Sequence, residues 1–223
     1  MLTDIEAVLR DDTLLVTVMQ VNNELGSVSN IAGIARLCRE RGVISHTDAA
    51  QSFGKIPVDV QEMGVDLLSL SAHKIYGPKG IGALYVRRQD GLALDAQVHG
   101  GGHEMGMRSG TLPTHQIVGL ASAARLMQQE MSDQTRRISD LRDRFISHLR
   151  QIPNVHLNSD PAVCIPQIVN VAFDGVDGET LLLALNATCR ETDSQPASLL
   201  PILPTSPSAP PRTPPSLSSL SPS

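Results

Sequence analysis

The chain has 223 residues, and its 18 Lys and Arg residues against 23 Asp and Glu residues give a net charge of −5 at pH 7. This acidic balance, without any block of like charges, argues against nucleic acid as a direct ligand. No apolar run reaches the roughly 18 residues that a membrane helix needs, and the acidic opening is unlike a signal or transit peptide.

Apolar runs alternate with helical patterns through the first half of the chain. The sequence opens on a short amphipathic helix behind the capping candidate Thr3. A buried strand is predicted over 13–21, followed by a helix over 30–42 that is capped by Asn30 and ended by Gly42. Three further strands are predicted over 43–52, 64–74 and 82–88. This alternation is typical of an α/β fold with a parallel sheet and crossover helices.

The pattern changes after residue 115. One or two long helices are predicted over 116–150, with charges that indicate a solvated face. Two strands and the start of a helix follow, in 153–160 and 167–185, and indicate a small α+β domain. From residue 186 the composition turns to Pro, Ser, Leu and Thr without a period, which predicts disorder. We therefore predict three regions, namely 1–115, 116–185 and a disordered tail over 186–223.

The three cysteines are odd in number, widely spaced and without a CxxC pair. This pattern argues against a disulfide framework or a zinc knuckle, and is typical of an intracellular chain. Cys38 and Cys164 both fall in apolar patterns, where buried structural thiols are the norm.

Polar clusters follow the predicted strands, at the edge of the sheet where α/β proteins bind ligands. They read "VNNELG", "HTDAAQS" and "SAHK", and a later glycine-rich loop reads "HGGGHEMGMRSGT". Taken singly, each is typical of a helix cap, a turn or a flexible loop. Taken together, they are the groups that one cofactor, pyridoxal phosphate, requires.

Pyridoxal phosphate needs a lysine for its aldehyde, a carboxylate on its pyridine nitrogen, and hydroxyl and imidazole donors on its phosphate. Lys74 is the candidate lysine and Asp48 the candidate carboxylate, while Ser71 and His73 are the candidate phosphate donors. Glycine and proline turn the chain directly after Lys74, which predicts that its amine faces the cofactor.

Competing motifs fit the sequence less well. "GPKGIG" lacks the spacing and the Ser or Thr of a phosphate-binding P-loop, and the strand-like "ALYVRR" after it argues against a dinucleotide fingerprint. His99 and His103 suggest a metal, but their flanking glycines hold no ligand geometry and Glu104 is the only carboxylate beside them. No metal is predicted.

The blocks "VNNELG", "HTDAAQS", "LSLSAHKIYGPKGIGALYVRR" and "GGGHEMGMRSGT" resemble successive motifs of the cysteine desulfurases. These are pyridoxal-phosphate enzymes of the class-V aminotransferase type that supply sulfur for iron–sulfur clusters. The resemblance covers about residues 1 to 185 and is closest to the mitochondrial and bacterial iron–sulfur assembly enzymes. It implies the fold type I of pyridoxal-phosphate-dependent transferases, with a partial large domain and the start of a small one.

The resemblance also implies a role for each motif residue. Lys74 would form the Schiff base and move the α proton, a step that a desolvated amine performs near neutral pH. The cofactor-binding residues would be Asp48 at the pyridine nitrogen, Gln51 at the ring hydroxyl, and Ser71 with His73 at the phosphate.

Further implications concern partners. Asn23 would lie near the carboxylate of the substrate, L-cysteine, and Thr111 would reach the phosphate of the partner subunit in a homodimer. Iron–sulfur scaffold and sulfur-acceptor proteins would be the macromolecular partners. The eukaryotic members of the family are mainly mitochondrial, whereas the absence of a presequence here leaves the cytosol open.

The chain also departs from the family pattern. Met105 stands where the family usually has an arginine. The upstream elements of the large domain, with a phosphate-gripping helix and a ring-stacking histidine, are not expected here. Cys189 comes several residues before the position of the nucleophilic cysteine and lacks its Ser/Gly-rich flanks, so we expect the chain to lack the nucleophile.

Two functions therefore stand as hypotheses. The first is a cysteine desulfurase by descent, which converts L-cysteine to L-alanine and passes the sulfur to a cysteine thiolate. The second is a non-catalytic truncated form that binds the cofactor or interferes with full-length subunits by dimerisation. A weaker third is another reaction on the same fold, such as aminotransfer or selenocysteine lysis.

Overall fold

The computed structural model describes residues 2–89 and 92–189, which form two compact units. The first unit ends at Asp174, and the second begins at Gly175. Helix α5 (Gly178–Cys189) belongs to the second unit. It therefore extends through residues 186–189 of the predicted tail, while residues 190–223 lie outside the described part. The predicted region boundaries at 115 and 185 stay predictions.

The main sheet of the first unit has four strands within the described residues, in the order of the sequence. The pairings of β1 with β2 and of β2 with β3 are parallel, and β3 pairs with β4 in antiparallel orientation. The chain reverses between β3 and β4 through a 3-10 helix and the glycine- and proline-rich segment after it. The strands are β1 (Leu15–Met19), β2 (Ile44–Asp48), β3 (Leu67–Ser71) and β4 (Gly82–Val86). This mostly parallel sheet confirms the predicted α/β class.

Helix α2 (Ile31–Glu40) packs on one face of this sheet. The Asn30 side chain accepts a hydrogen bond from the Gly33 amide at 3.0 Å, as the predicted cap requires. The buried side of α2 joins the hydrophobic core with residues from α3 (Val60–Met63), from the sheet and from the loops between them. The core members are Ile31, Ile34, Ala35, Cys38, Val43, Ala49, Met63, Val65 and Leu68.

The N-terminal helix α1 (Leu2–Val8) rests against this core through Leu2 and Ile5. The predicted amphipathic pattern holds only in part, since Val8 is 73 % exposed. The predicted cap at Thr3 is wrong, because the helix begins at Leu2 and Thr3 lies inside it. Helix α3 is four residues long, and the Asp59 side chain caps it by accepting from the amides of Gln61 and Glu62. So short a helix has no readable period in the sequence, which is why it was not predicted.

The segment predicted as one or two helices is a single helix, α4 (Thr114–Leu149). Its first turns pack closely against the glycine- and proline-rich loop that follows Lys74. Gly119 lies so near this loop that a Cβ built on it would be 2.5 Å from Cγ of Pro78. The Gln116 side chain donates to the carbonyl of Lys79 at 2.9 Å. The start of α4 therefore holds the loop between β3 and β4 in place.

Two short strands, β5 (Val155–Leu157) and β6 (Val171–Phe173), form an antiparallel pair. They confirm the two strands predicted in this region. Both belong to the first compact unit, and the loop between them packs against the turn after β1.

Candidate functional site

The carboxyl ends of β1, β2 and β3 lie side by side, as parallel pairing requires. Asp48 is the last residue of β2 and is in register with Ser69 of β3. The backbone N–H of Gln20 donates to the backbone carbonyl of Asp48 at 3.0 Å, which joins the end of β1 to the end of β2. The Asp48 carboxylate is half-buried and accepts from the Ala50 amide at 2.8 Å. A carboxylate is thus held at the centre of this edge of the sheet.

Ser71 and His73 lie at the next strand end. Ser71 closes β3, and its hydroxyl oxygen lies 2.7 Å from Nδ1 of His73. His73 belongs to a short 3-10 helix, Ala72–Ile75, that follows the strand directly. This contact uses one of the two donors, so a hydroxyl and a neutral imidazole that share it have one further donor to offer an oxyanion.

Lys74 lies in the same 3-10 helix, and its side chain is exposed. The helix ends at Tyr76, whose φ of 62° is in the left-handed region. The Gly77 amide donates to the Ala72 carbonyl at 2.9 Å, which closes the turn. The chain reverses directly after Lys74, as the glycines and prolines predict, and the amine is left accessible.

Gln51 lies in the turn after β2, and its Oε1 accepts a hydrogen bond from Nζ of Lys55 at 3.0 Å. The turn packs against neighbouring residues at Gly54, which is buried and has a φ of 76°. A Cβ built there would lie 2.8 Å from Cγ2 of Ile75. The Gln51 turn therefore packs beside the 3-10 helix that carries Lys74.

Lys55 is half-buried in this position, and its pKa is lowered. Burial is the larger cause, because desolvation disfavours the ammonium, and repulsion from the Lys74 ammonium is the second. Two lysines thus lie within electrostatic reach of each other at this edge of the sheet. Lys55 was not predicted from the sequence, although its place four residues after Gln51 is a usable signal.

His46 lies two residues before Asp48, on the same face of β2, between two hydroxyls. Its Nδ1 is 2.6 Å from Oγ1 of Thr17 on β1, and its Nε2 is 3.1 Å from Oγ of Ser69 on β3. Burial lowers the pKa of His46, and the neighbouring Asp48 carboxylate opposes that shift in part. His46 was also missed, because the partners of a strand residue are set by register rather than by local sequence.

Asn23 is exposed in the turn after β1, next to Asn22, whose side chain accepts from the amides of Glu24 and Leu25. This turn is braced from a distant part of the chain, since Ser159 donates to the carbonyl of Leu25 at 2.7 Å. The bracing gives Asn23 a defined place beside the end of β1.

Thr111 is exposed in the loop that leads to α4. In the glycine-rich loop before it, Met105 is 74 % exposed, with a φ of 56° that few side chains adopt. The loop is joined internally by Ser109, which accepts from the Gly102 amide. The position that is usually arginine in the family thus carries an exposed methionine, whose Sδ accepts from Nη2 of Arg88 at 3.7 Å.

The cysteines differ in environment. Cys38 is buried in the core, and burial raises the pKa of its thiol, helped by the negative charge of Asp66. This confirms the structural interpretation of Cys38, whereas Cys164 is only half-buried. For Cys189 the structure describes the backbone, as the last residue of α5.

In the part of the chain that the structure describes, no three His, Cys, Asp or Glu side chains come together as metal ligands would. Nδ1 of His103 instead accepts from the Gly110 amide at 3.3 Å. None of the described helices combines the length and apolar character needed to cross a bilayer.

The donor set fits pyridoxal phosphate by its chemistry. An accessible amine, a half-buried carboxylate, an amide and a hydroxyl–imidazole pair all follow the ends of adjacent strands. These groups match the aldehyde, the pyridine nitrogen, the ring hydroxyl and the phosphate of the cofactor in turn. A mostly parallel sheet with this edge is the arrangement expected of a pyridoxal-phosphate-dependent transferase domain of fold type I.

Comparisons with known proteins agree. The model of the aminotransferase class-V family matches residues 1–190. Curated relatives include the cysteine desulfurase IscS of Proteus mirabilis, 50 % identical over 206 residues, and that of Aeromonas hydrophila, 52 % identical over 206 residues; each alignment covers 89 % of this chain and 51 % of the relative. A solved structure titled NifS-like protein superposes with a TM-score of 0.79 at 34 % identity, over 84 % of this chain and 51 % of that one.

The chain therefore belongs to the class-V aminotransferase family. Pyridoxal phosphate is the cofactor of this family, which confirms the cofactor predicted from the sequence. The resemblance to cysteine desulfurases and the predicted fold type are confirmed as well. The chain spans about half the length of the curated relatives that it matches.

Proposed function

We propose that this chain carries the cofactor-binding half of a cysteine desulfurase. The observation that carries the proposal is the joining of Asp48, the Ser71–His73 pair and an accessible Lys74 at adjacent strand ends. The identity of about half to cysteine desulfurases supports the choice of reaction within the family. The proposed substrate is L-cysteine, and the products are L-alanine and a sulfur atom carried by a thiolate.

Lys74 is the proposed catalytic residue. Its exposed amine is free to hold the cofactor covalently and to move a proton at the α carbon of the substrate. When bound, the cofactor supplies an electron sink for the bonds at that carbon.

Asp48 and Gln51 are proposed to orient the cofactor ring. A carboxylate at the pyridine nitrogen keeps that nitrogen protonated, and the Asp48 side chain is already anchored by the Ala50 amide. Gln51 would donate to the ring hydroxyl. Ser71 and His73 would bind the phosphate as a unit. Through their mutual contact at 2.7 Å, one would donate to the phosphate while the other orients that donor.

Asn23 and Thr111 are proposed for contacts outside this cluster. Asn23 would bind the substrate carboxylate from the braced turn after β1. Thr111 would reach the phosphate of a partner subunit, and its exposure before α4 is compatible with that contact. A homodimer is therefore part of the proposal.

The macromolecular partners and the location are proposals as well. Iron–sulfur scaffold and sulfur-acceptor proteins are the partners proposed by family resemblance. The relatives reported above are bacterial, so a mitochondrial location has no support from them, whereas a cytosolic one is compatible with them.

A second candidate function is a non-catalytic chain that binds the cofactor or pairs with full-length subunits. Cys189 favours it, because this cysteine lacks the Ser/Gly-rich flanks of the expected nucleophile. Cys38 is unsuited to carry sulfur, since it is buried and its pKa is raised.

One experiment tests both functions. The purified chain, saturated with pyridoxal phosphate, should show the visible absorbance of a lysine-bound cofactor, and Lys74→Ala should lose that absorbance. Lys79→Ala is the matched control, because Lys79 is an exposed lysine of the same loop. With L-cysteine and a reductant, L-alanine and sulfide in equal amounts would support the desulfurase.

The outcomes separate the candidates. Visible absorbance without any L-alanine would favour the non-catalytic chain. No absorbance, or equal absorbance in Lys74→Ala, would contradict both the desulfurase and a non-catalytic chain that binds the cofactor. Pairing with full-length subunits is tested separately, by pull-down of a full-length desulfurase subunit, and failure at high concentration would contradict it.

A further inference from the structure

We propose that Lys55 is a positioning residue that sets the orientation of the Gln51 amide toward the cofactor. The inference rests on the proposed function, in which Gln51 meets the ring hydroxyl of pyridoxal phosphate. It concerns a residue for which the family motifs quoted above imply no role.

The chemistry of the contact sets the orientation. Nζ of Lys55 lies 3.0 Å from Oε1 of Gln51. A lysine ammonium has three donors and no acceptor, so the amide must turn its oxygen toward Lys55. Its NH₂ group is then the one left to meet the ring oxygen. An amide turned the other way would set two donors, its NH₂ group and the ammonium, against each other, which costs free energy in a half-buried site.

The packing keeps this contact beside the catalytic lysine. Gly54, directly before Lys55, leaves no room for a side chain against Ile75, which directly follows Lys74. Repulsion from the Lys74 ammonium also contributes to the lowered pKa of Lys55. Both observations place the Gln51–Lys55 pair next to the amine that meets the cofactor.

Lys55 is held in place by its surroundings. It lines a cavity of 260 Å³ together with Glu130 and Gln134 of α4, whose side chains carry acceptor oxygens. Its Nζ donates to Gln51, so Lys55 is a positioned donor rather than a mobile surface charge.

The half-buried charge of Lys55 destabilises the folded chain. A positioning role and a structural role therefore predict opposite changes in stability when that charge is removed. A half-buried ammonium next to another lysine destabilises the folded chain, because the unfolded chain hydrates both charges. Removing the charge of Lys55 should therefore leave the melting temperature of the cofactor-free chain unchanged or higher. A lysine retained only for stability would show the opposite.

The test is a double-mutant cycle on cofactor binding in the whole chain. The variants are Lys55→Met, Lys55→Arg, Gln51→Ala and the double variant Lys55→Met/Gln51→Ala. Affinity for pyridoxal phosphate and the absorbance spectrum of the bound form are measured, together with the melting temperature of each cofactor-free variant. Lys79→Met serves as the control for loss of an exposed lysine.

The expected result is coupling between the two residues. Lys55→Met should weaken binding about tenfold, the size of one charge-assisted hydrogen bond, and shift the absorbance band. Lys55→Arg, which retains a donor-only cation, should restore most of the affinity. In the Gln51→Ala background, Lys55→Met should have no further effect.

Three results would overturn the inference while leaving the proposed function intact. The first is unchanged cofactor affinity in Lys55→Met. The second is an equal loss of affinity on Lys55→Met with and without the Gln51 side chain. The third is a lower melting temperature in Lys55→Met that accompanies the loss of affinity and that Lys55→Arg does not restore. A wild-type chain that binds no cofactor would instead overturn the proposed function, and the inference with it.

Discussion

His46 illustrates how a single residue couples the sheet to acidity. Its ring lies between Thr17 and Ser69, and burial lowers its pKa below the ordinary value of 6.5. In the unfolded chain the ring is hydrated and takes up a proton near pH 6.5. The unfolded state therefore binds the extra proton first as the pH falls, and the folded state loses stability in that range.

We expect the free energy of unfolding to fall as the pH drops from about 7 through 6.5 toward the lowered pKa of His46. The His46→Gln variant should show a shallower fall, because its side chain does not titrate. The cost per unit of pKa difference is about 1.4 kcal/mol. Urea unfolding at a series of pH values measures the slope.

His148→Gln is the control, because His148 is exposed on α4. Its slope should match that of the wild-type chain. Equal slopes in wild type and His46→Gln would contradict the assignment of the pH dependence to His46.

At the scale of elements, the turn after β2 is seated by a glycine. Gly54 has a φ of 76°, and an added Cβ would lie 2.8 Å from Ile75 and 3.1 Å from Met127. Gly42 ends the α2 region with a similar φ of 66°, but an added Cβ would meet nothing within 4 Å. The two glycines share a left-handed backbone, which would strain any other residue, and they differ in how closely they are packed.

The substitution Gly42→Ala should cost about 1 kcal/mol, the price of a left-handed conformation for an L residue. Gly54→Ala should cost about 3 kcal/mol, since overpacking against Ile75 and Met127 adds to that strain. Urea unfolding of the two variants measures the difference. Equal losses would show that the turn repacks freely around the added methyl group.

The whole molecule should respond to its cofactor. A ligand that binds only the folded chain stabilises it by about 2.7 kcal/mol at a hundredfold excess over its Kd. For a chain of this size that corresponds to a rise in Tm of about 5 to 10 °C. We expect this rise with pyridoxal phosphate, measured by differential scanning calorimetry.

Two aspartate variants test whether the effect comes from the candidate site. Asp48→Ala should reduce the rise, because the half-buried carboxylate is lost from the centre of the sheet edge. Asp95→Ala should leave it unchanged, since Asp95 is exposed in a loop. An equal rise in both variants would show that the cofactor binds elsewhere on the chain.

Much of the fold and part of the site follow from sequence. The cap at Asn30, the strand over Ile44–Asp48 and the turn after Lys74 were predicted, because each depends on residues a few positions apart. The four-residue helix α3 was not, since it is shorter than any period that a pattern reveals. Whether residues 116–150 form one helix or two was not decided by the sequence, because the charged middle of the segment carries no clear signal for a break or for continuity.

The sequence by itself determined the order of elements, the α/β class and the cofactor, because periodicity, caps and motif residues are local. Only the tertiary structure decided which side chains meet: the ring of His46 between two strands, Lys55 on the Gln51 amide, and Ser159 bound to the turn at Leu25. These contacts depend on strand register, on the packing of a glycine and on a hydrogen bond between residues 134 positions apart. Such distances in sequence carry no periodic signal, so chain packing alone brings the groups together.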